Sequence, residues 1–232
     1  MTTPQNVLVT GANRGLGLAF AGHYLAAGHH VLATARDLDA ATDLNDLAAR
    51  YPETATLARL DVAEGHSIEA LLGSIPFERV DLLINNAGVF GAPEEAVPDL
   101  NFDVMAETFA VNAMGPLRLI KGLWGRLAAG ARLVNVTSRM GSIGDNSSGG
   151  RYSYRMSKAA LNMAIRNVAH DLEPRGMIAV VIHPGWVQTD MGGTSAPMTV
   201  QESVTSMTRT IDGLKPEHNG QFLNHDGSEL PW

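Results

Sequence analysis

The stretch NVLVTGANRGLGLAFAGHYLAAGHHV, residues 6–31, decides how the rest of the chain is read. It opens on a short β-branched apolar run and passes through Gly11, Gly15 and Gly17. It then enters an apolar segment before a second apolar run begins. Gly11 permits a tight turn after a strand, Gly15 lets the backbone approach a pyrophosphate, and Gly17 lets a helix pack close to a sheet. A helix that starts there turns its free N–H groups toward phosphates. The spacing is G-x-x-x-G-x-G rather than the commoner G-x-G-x-x-G, and three glycines alone also fit a plain strand-to-helix turn. Their place at the head of an alternating series favours the dinucleotide reading.

Outward from this stretch, short apolar runs recur at 30–35, 56–62, 80–86, 132–138 and 178–184, with helical periodicity between them and a short last run at 221–226. Strands alternating with helices predict βαβ units. The expected fold is α/β: one doubly wound Rossmann-type domain over residues 1–232, with an approximately seven-stranded parallel sheet covered by helices on both faces. No repeat or low-complexity linker argues for a second domain. GDNSSGG (144–150) and DMGGTSAPM (190–198) read as loops following strands, where open α/β sheets place ligands. Residues 190–204 are expected to cover the substrate.

Strand two ends ATARDLDA. A free ribose 2′-hydroxyl calls for an acidic residue at that place, a 2′-phosphate for arginine. Arg36 stands there and Arg14 in the glycine turn adds a second guanidinium, whose planar fork suits a phosphate. NADP(H) is therefore expected over NAD(H). Asp37, about 20 residues beyond the glycines, is the feature that speaks for NAD(H).

Seven pieces then come in order: TGANRGLG at 10–17, LDV at 60–62, NNAG at 85–88, VNAMGP at 111–116, VTS at 136–138, YRMSK at 154–158 and PGWVQTDM at 184–191. With them the chain resembles the short-chain dehydrogenase/reductase family, and is most similar to its C-factor and sniffer-type carbonyl reductases. The resemblance implies roles. Gly11, Asn13, Arg14, Gly15, Leu16 and Gly17 would hold the cofactor phosphates with Arg36. Asp61 would bond the adenine amino group beside Val62, and Asn85, Asn86, Ala87 and Gly88 would stabilise the central strand and line the adenine ribose. Pro184, Gly185, Val187, Thr189 and Met191 would flank the nicotinamide, with Trp186 against substrate. A homodimer or homotetramer on the helices at 103–127 and 154–172 is also implied. An Asp after a strand also caps turns, and Pro-Gly also simply turns the chain.

Leu161, Ile165, Val168 and Leu172 place Tyr154 and Lys158 on one face of an amphipathic helix. A free tyrosine, with a pKa near about 10, exchanges protons poorly at neutral pH. A lysine cation beside it, and the positive ring of an oxidised cofactor, are expected to lower that pKa. The resemblance implies carbonyl reduction: hydride to the carbonyl carbon, a proton from Tyr154 to the oxygen, ribose orientation by Lys158, and a water on the carbonyl of Asn112 that links Lys158 to solvent. Ser138 closes strand five and can donate to the developing alkoxide. Fifteen residues separate it from Tyr154, more than is usual in the family, whereas eleven separate Ser142. Ser138 is preferred for its strand end, Ser142 remains its rival, and either can touch substrate.

The net charge of −7, with no basic block, argues against nucleic acid. No apolar run reaches the roughly 20 residues that span a bilayer, and the amino end lacks a basic-then-apolar leader, so the chain reads as soluble and cytoplasmic. With no cysteine there is no disulfide, thiolate metal site or cysteine nucleophile. His183 and the pair His29–His30 lack metal-site spacing. Two other functions fit the same residues: an NADP(H)-binding sensor or signalling protein with little turnover, and an epimerase or dehydratase on the same scaffold.

Overall fold

The computed structural model of the chain describes residues 3–93 and 96–232. Seven parallel strands form one sheet: β1 (Asn6–Val9), β2 (His30–Ala35), β3 (Ala55–Arg59), β4 (Val80–Asn85), β5 (Leu127–Val136), β6 (Ile178–His183) and β7 (Phe222–Asn224). Their spatial order is β3-β2-β1-β4-β5-β6-β7, so the direction of winding reverses between β1 and β4. In such sheets that switch point opens a crevice at the carboxyl ends of the strands.

Helices α1 (Gly15–Ala26), α2 (Thr42–Arg50), α3 (Gly65–Ser74), α4 (Phe102–Phe109), α5 (Gly115–Leu123), α6 (Tyr152–Leu172) and α7 (Val200–Asp212) cover the sheet. Strand side chains alternate between faces. Val7, Val9, Val31, Ile84, Val134 and Val180 pack with Phe20 and Tyr24 of α1 and with Val204 and Met207 of α7. Leu8, Leu32, Leu83, Leu133 and Val181 pack on the other face with Leu119 and Leu123 of α5 and Leu161 and Ile165 of α6. Both faces being covered, the strands read as near-continuous apolar runs. Each fully buried leucine, valine or phenylalanine contributes roughly 1.5–3 kcal/mol.

Several boundaries differ from the sequence reading. The third strand stops at Arg59 rather than residue 62, because Asp61 turns the chain: its Oδ1 accepts the Ala63 N–H at 2.9 Å. The fifth strand begins at Leu127, not residue 132, and a register shift opposite β4 absorbs the extra residues. The segment at 103–127 is not one helix. Residues Ala110–Met114 form a π-turn between α4 and α5, and the helix ends at Leu123. The segment at 190–204 expected to cover the substrate is loop only up to Thr199, whose hydroxyl accepts the Glu202 N–H and starts α7. Among the described residues no helix is long and apolar enough to cross a membrane.

Candidate active site

The carboxyl ends of β1, β4, β5 and β6 converge on one crevice. After β1, Gly11 and Gly15 take φ of +65° and +55°, a region open chiefly to glycine. A Cβ on Gly17 would lie 2.2 Å from the Gly11 carbonyl oxygen and 2.5 Å from the Asn86 Nδ2, so α1 approaches the β4 loop as only glycine allows. Thr10, overlooked in the sequence, ties the two loops together. Its hydroxyl accepts the N–H groups of Asn86 and Ala87, both at 3.0 Å, while Asn86 donates to the carbonyls of Thr10 and Gly11. Asn85 donates across the sheet to Asn135 at 2.8 Å, as expected of a residue that stabilises the central strand.

Arg14 is the residue before α1 and pairs with Asp190 at 2.5 Å; both side chains are exposed. Asn13 and Arg36 are also exposed, and Leu16 is half-buried. Asp37 is committed elsewhere: its Oδ1 accepts the N–H groups of Asp39 and Ala40 and lies 3.8 Å from Arg59. The feature that spoke for NAD(H) is thus used in a turn and an ion pair. The turn role open to Asp61 is also realised, in its bond from Ala63, and Val62 is buried behind it.

Beyond β6, the Pro184 carbonyl accepts the Ser203 hydroxyl at 2.6 Å, and Gly185 has φ +86°. Val187 is buried, whereas Met191 is exposed. Thr189 sits against the glycine turn, its Cγ2 3.6 Å from where a Gly15 Cβ would be. Its hydroxyl accepts the Gly192 N–H at 3.1 Å. Trp186 is exposed and gives its indole N–H to the Gly192 carbonyl.

Tyr154 and Lys158 lie in the first two turns of α6, buried against the end of β5. Ser138, two residues past the strand, accepts the Met140 N–H, and its hydroxyl stands near enough to the Tyr154 hydroxyl to favour the phenolate. Ser142 points elsewhere: its hydroxyl donates to the Trp232 carbonyl at 3.0 Å and accepts the Asp145 N–H. It fastens the loop to the segment that follows β7.

Among the chain's own groups the balance at Tyr154 runs upward: burial pushes it up to about 12, and the nearby Ser138 hydroxyl offsets only part of this. Lys158 is too far to reverse it, with Nζ 5.8 Å from the ring centroid and donating to the Val136 carbonyl at 2.9 Å. Burial pushes Lys158 down to about 8. Both shifts have one cause, removal of a charged form from water.

Asn112 sits in the π-turn, buried. It accepts the Val89 N–H at 2.8 Å and donates to the Val89 carbonyl at 2.8 Å and the Ser157 hydroxyl at 3.0 Å. Ser157 in turn donates to the Tyr154 carbonyl. Pro116 has no N–H to give the Asn112 carbonyl four residues back, so an α-helical bond there cannot form. That proline was the readable signal for the π-turn. Gly88 lies within this cluster: a Cβ on it would be 3.3 Å from Asn112 Oδ1 and 3.6 Å from Lys158 Nζ. The glycine turn, the helix start and the space that these missing Cβ atoms leave fit a dinucleotide.

Comparison with known proteins agrees with this arrangement. A family model described as short chain dehydrogenase matches residues 5–199. The chain is 54% identical over 155 residues to the protein named C-signal of Myxococcus xanthus, a match spanning 66% of this chain and 93% of that one. It superposes on an NADPH-bound carbonyl reductase from chicken fatty liver with a TM-score of 0.93 at 36% identity, covering 100% of each. With the carbonyl reductase Sniffer of D. melanogaster the TM-score is 0.90 at 31% identity, over 99% of this chain and 100% of that one.

Proposed function

Because the chain belongs to the short-chain dehydrogenase family, and to its C-factor and sniffer-type branch, we propose that it is an NADPH-dependent reductase of aldehydes or ketones with Tyr154 as proton donor. One observation carries the reading: the buried Tyr154 with Ser138 and Lys158 beside it, where the strand ends open. When bound, NADPH supplies a hydride from nicotinamide C4. Ser138 donates its hydroxyl to the oxygen of the carbonyl as negative charge develops there. Tyr154 delivers its proton to that same oxygen. A phenol held near 12 keeps its proton at neutral pH until hydride transfer creates an alkoxide basic enough to take it. Lys158 would orient the ribose hydroxyls, and Asn112 braces the loop after β4 against α6 through Val89 and Ser157.

The glycine turn with Asn13 and Leu16 holds the phosphates, and Arg14 and Arg36 favour a 2′-phosphate. Asp61 and Val62 take the adenine, Asn86, Ala87 and Gly88 the ribose, and Pro184, Gly185, Val187, Thr189 and Met191 the nicotinamide. Trp186 faces substrate. Exposed apolar side chains on α4, the π-turn, α5 and α6, among them Phe102, Met114, Leu117, Met156 and Met163, support a homodimer or homotetramer.

A second reading, an NADP(H)-binding signalling protein with little turnover, is favoured by the likeness to C-signal. Steady-state oxidation of NADPH and of NADH over a panel of aldehydes, ketones and quinones separates the two. Turnover with NADPH well above that with NADH supports the reductase, and cofactor binding without turnover on any of them supports the signalling protein.

A further inference from the structure

Tyr154 has a neighbour that the reductase reading does not use. The Phe90 ring lies 4.6 Å from the Tyr154 ring, centroid to centroid, at an interplanar angle of 35°. We propose that Phe90 is a positioning residue for Tyr154, its ring holding the phenol in the orientation that proton donation needs. This deepens the reductase reading and rests on it.

Phe90 is fixed from both sides along the chain. Before it, the N–H and carbonyl of Val89 are both clamped by the Asn112 side chain. After it, Gly91 has φ +74°, and a Cβ there would lie 2.7 Å from Thr108 Oγ1 and 3.2 Å from Ser153 Cβ. The backbone is thus squeezed between α4 and the first turn of α6, and the ring between those two points has little freedom. Tilted aromatic pairs at this distance are favourable beyond the area they bury.

The start of α6 is strained around the same ring. Arg151, the residue before the helix, takes φ +51° and ψ 44°, an uncommon conformation for a residue with a side chain. Its guanidinium carbon lies 5.2 Å from the Phe90 ring centroid, within reach of a cation–π attraction. Strain of this kind persists only where the surroundings over-determine it. Asn112 therefore reaches Tyr154 by two routes, through Val89 to the Phe90 ring and through Ser157 to the Tyr154 carbonyl. Contact with the Phe90 ring is part of the burial that raises the Tyr154 pKa.

The test uses the full chain as wild type, Phe90→Ala, Phe90→Leu and Phe90→Tyr, with thermal melts to verify folding. In carbonyl reduction, Phe90→Ala and Phe90→Leu are expected to lose roughly tenfold or more in kcat. NADPH Kd stays within about twofold, and Phe90→Tyr, which keeps the ring, restores kcat. A second readout needs no turnover: the 13Cζ signal of Tyr154 in tyrosine-labelled protein, assigned by its loss in Tyr154→Phe. Near pH 10, about the pKa of a free phenol, the wild-type signal remains that of a phenol and the Phe90→Ala signal moves toward phenolate. Wild-type kcat in both Phe90→Ala and Phe90→Leu, or an unmoved Tyr154 signal in Phe90→Ala, would overturn the proposal. If the wild type reduces no carbonyl, the reductase reading fails, and the 13Cζ signal still decides whether Phe90 sets the state of Tyr154. Should Phe90→Ala not fold, Phe90→Leu keeps most of the apolar volume without the ring and carries both measurements.

Discussion

Ser138 and Ser142 are separated by four positions and by what their hydroxyls already do. Residue counting favoured Ser142, and the end of the strand favoured Ser138. In the structure Ser138 stands beside Tyr154, while Ser142 is taken up by the Trp232 carbonyl and the Asp145 N–H. Ser138→Ala should lower kcat by about 10²–10³-fold, as loss of a donor to a developing oxyanion does. Ser142→Ala should instead cost about 1 kcal/mol of stability, the value of one hydrogen bond. Equal kcat losses in the two variants would contradict the assignment. Residue types at this scale were legible, since tyrosine, lysine and the strand-end serine all stand out in the chain. The balance of their environments was not. The charge of Lys158 suggested a lowered tyrosine pKa, but the sequence carries no measure of burial, and burial is the larger effect at Tyr154.

At the scale of elements, the junction of β1 and α1 was readable because glycines have few other reasons to occur at that spacing. Gly17 shows how tight the junction is, and Gly17→Ala provides its test. A methyl group 2.2 Å from the Gly11 carbonyl oxygen must displace either α1 or the loop of Asn86. Overpacking of this kind costs typically 1–3 kcal/mol. Thermal unfolding should register that loss, and titration should show NADPH binding weakened more than stability alone explains, because the displaced atoms form the phosphate turn. Unchanged binding would mean that the turn does not hold the cofactor. The π-turn at Ala110–Met114 was missed. A helical period of 3.6 describes both its flanks, and one extra residue within them leaves the apolar pattern almost intact. Pro116 signalled it, but a proline in the first turn of a helix is ordinary unless the preceding turn is known to continue through it.

For the whole molecule, alternation of apolar runs with helical periodicity was enough to give seven parallel strands and helices on both faces. Strand order was not legible in the chain and is supplied by the structure, because periodicity says nothing about which strands are neighbours. One consequence concerns the stability of the entire fold. Burial, together with Arg139 and His225, lowers His183 from 6.5 to about 4, so the fold holds its neutral form. Between those values the unfolded chain binds a proton that the folded chain refuses. Stability from this group is therefore present above about pH 6.5 and is lost as pH falls through about 4, on the order of a few kcal/mol. Urea unfolding between pH 4 and pH 7 should show that decline, and His183→Asn should flatten it. The central claim is that the fold binds NADPH and that Tyr154 then delivers the proton. It is tested most directly by measuring NADPH affinity and single-turnover carbonyl reduction for wild type and Tyr154→Phe side by side. The account predicts equal affinity within about twofold and reduction slowed by about 10²–10⁴-fold, the usual worth of a positioned acid. A Tyr154→Phe protein that reduces the same carbonyl at the wild-type rate would contradict it.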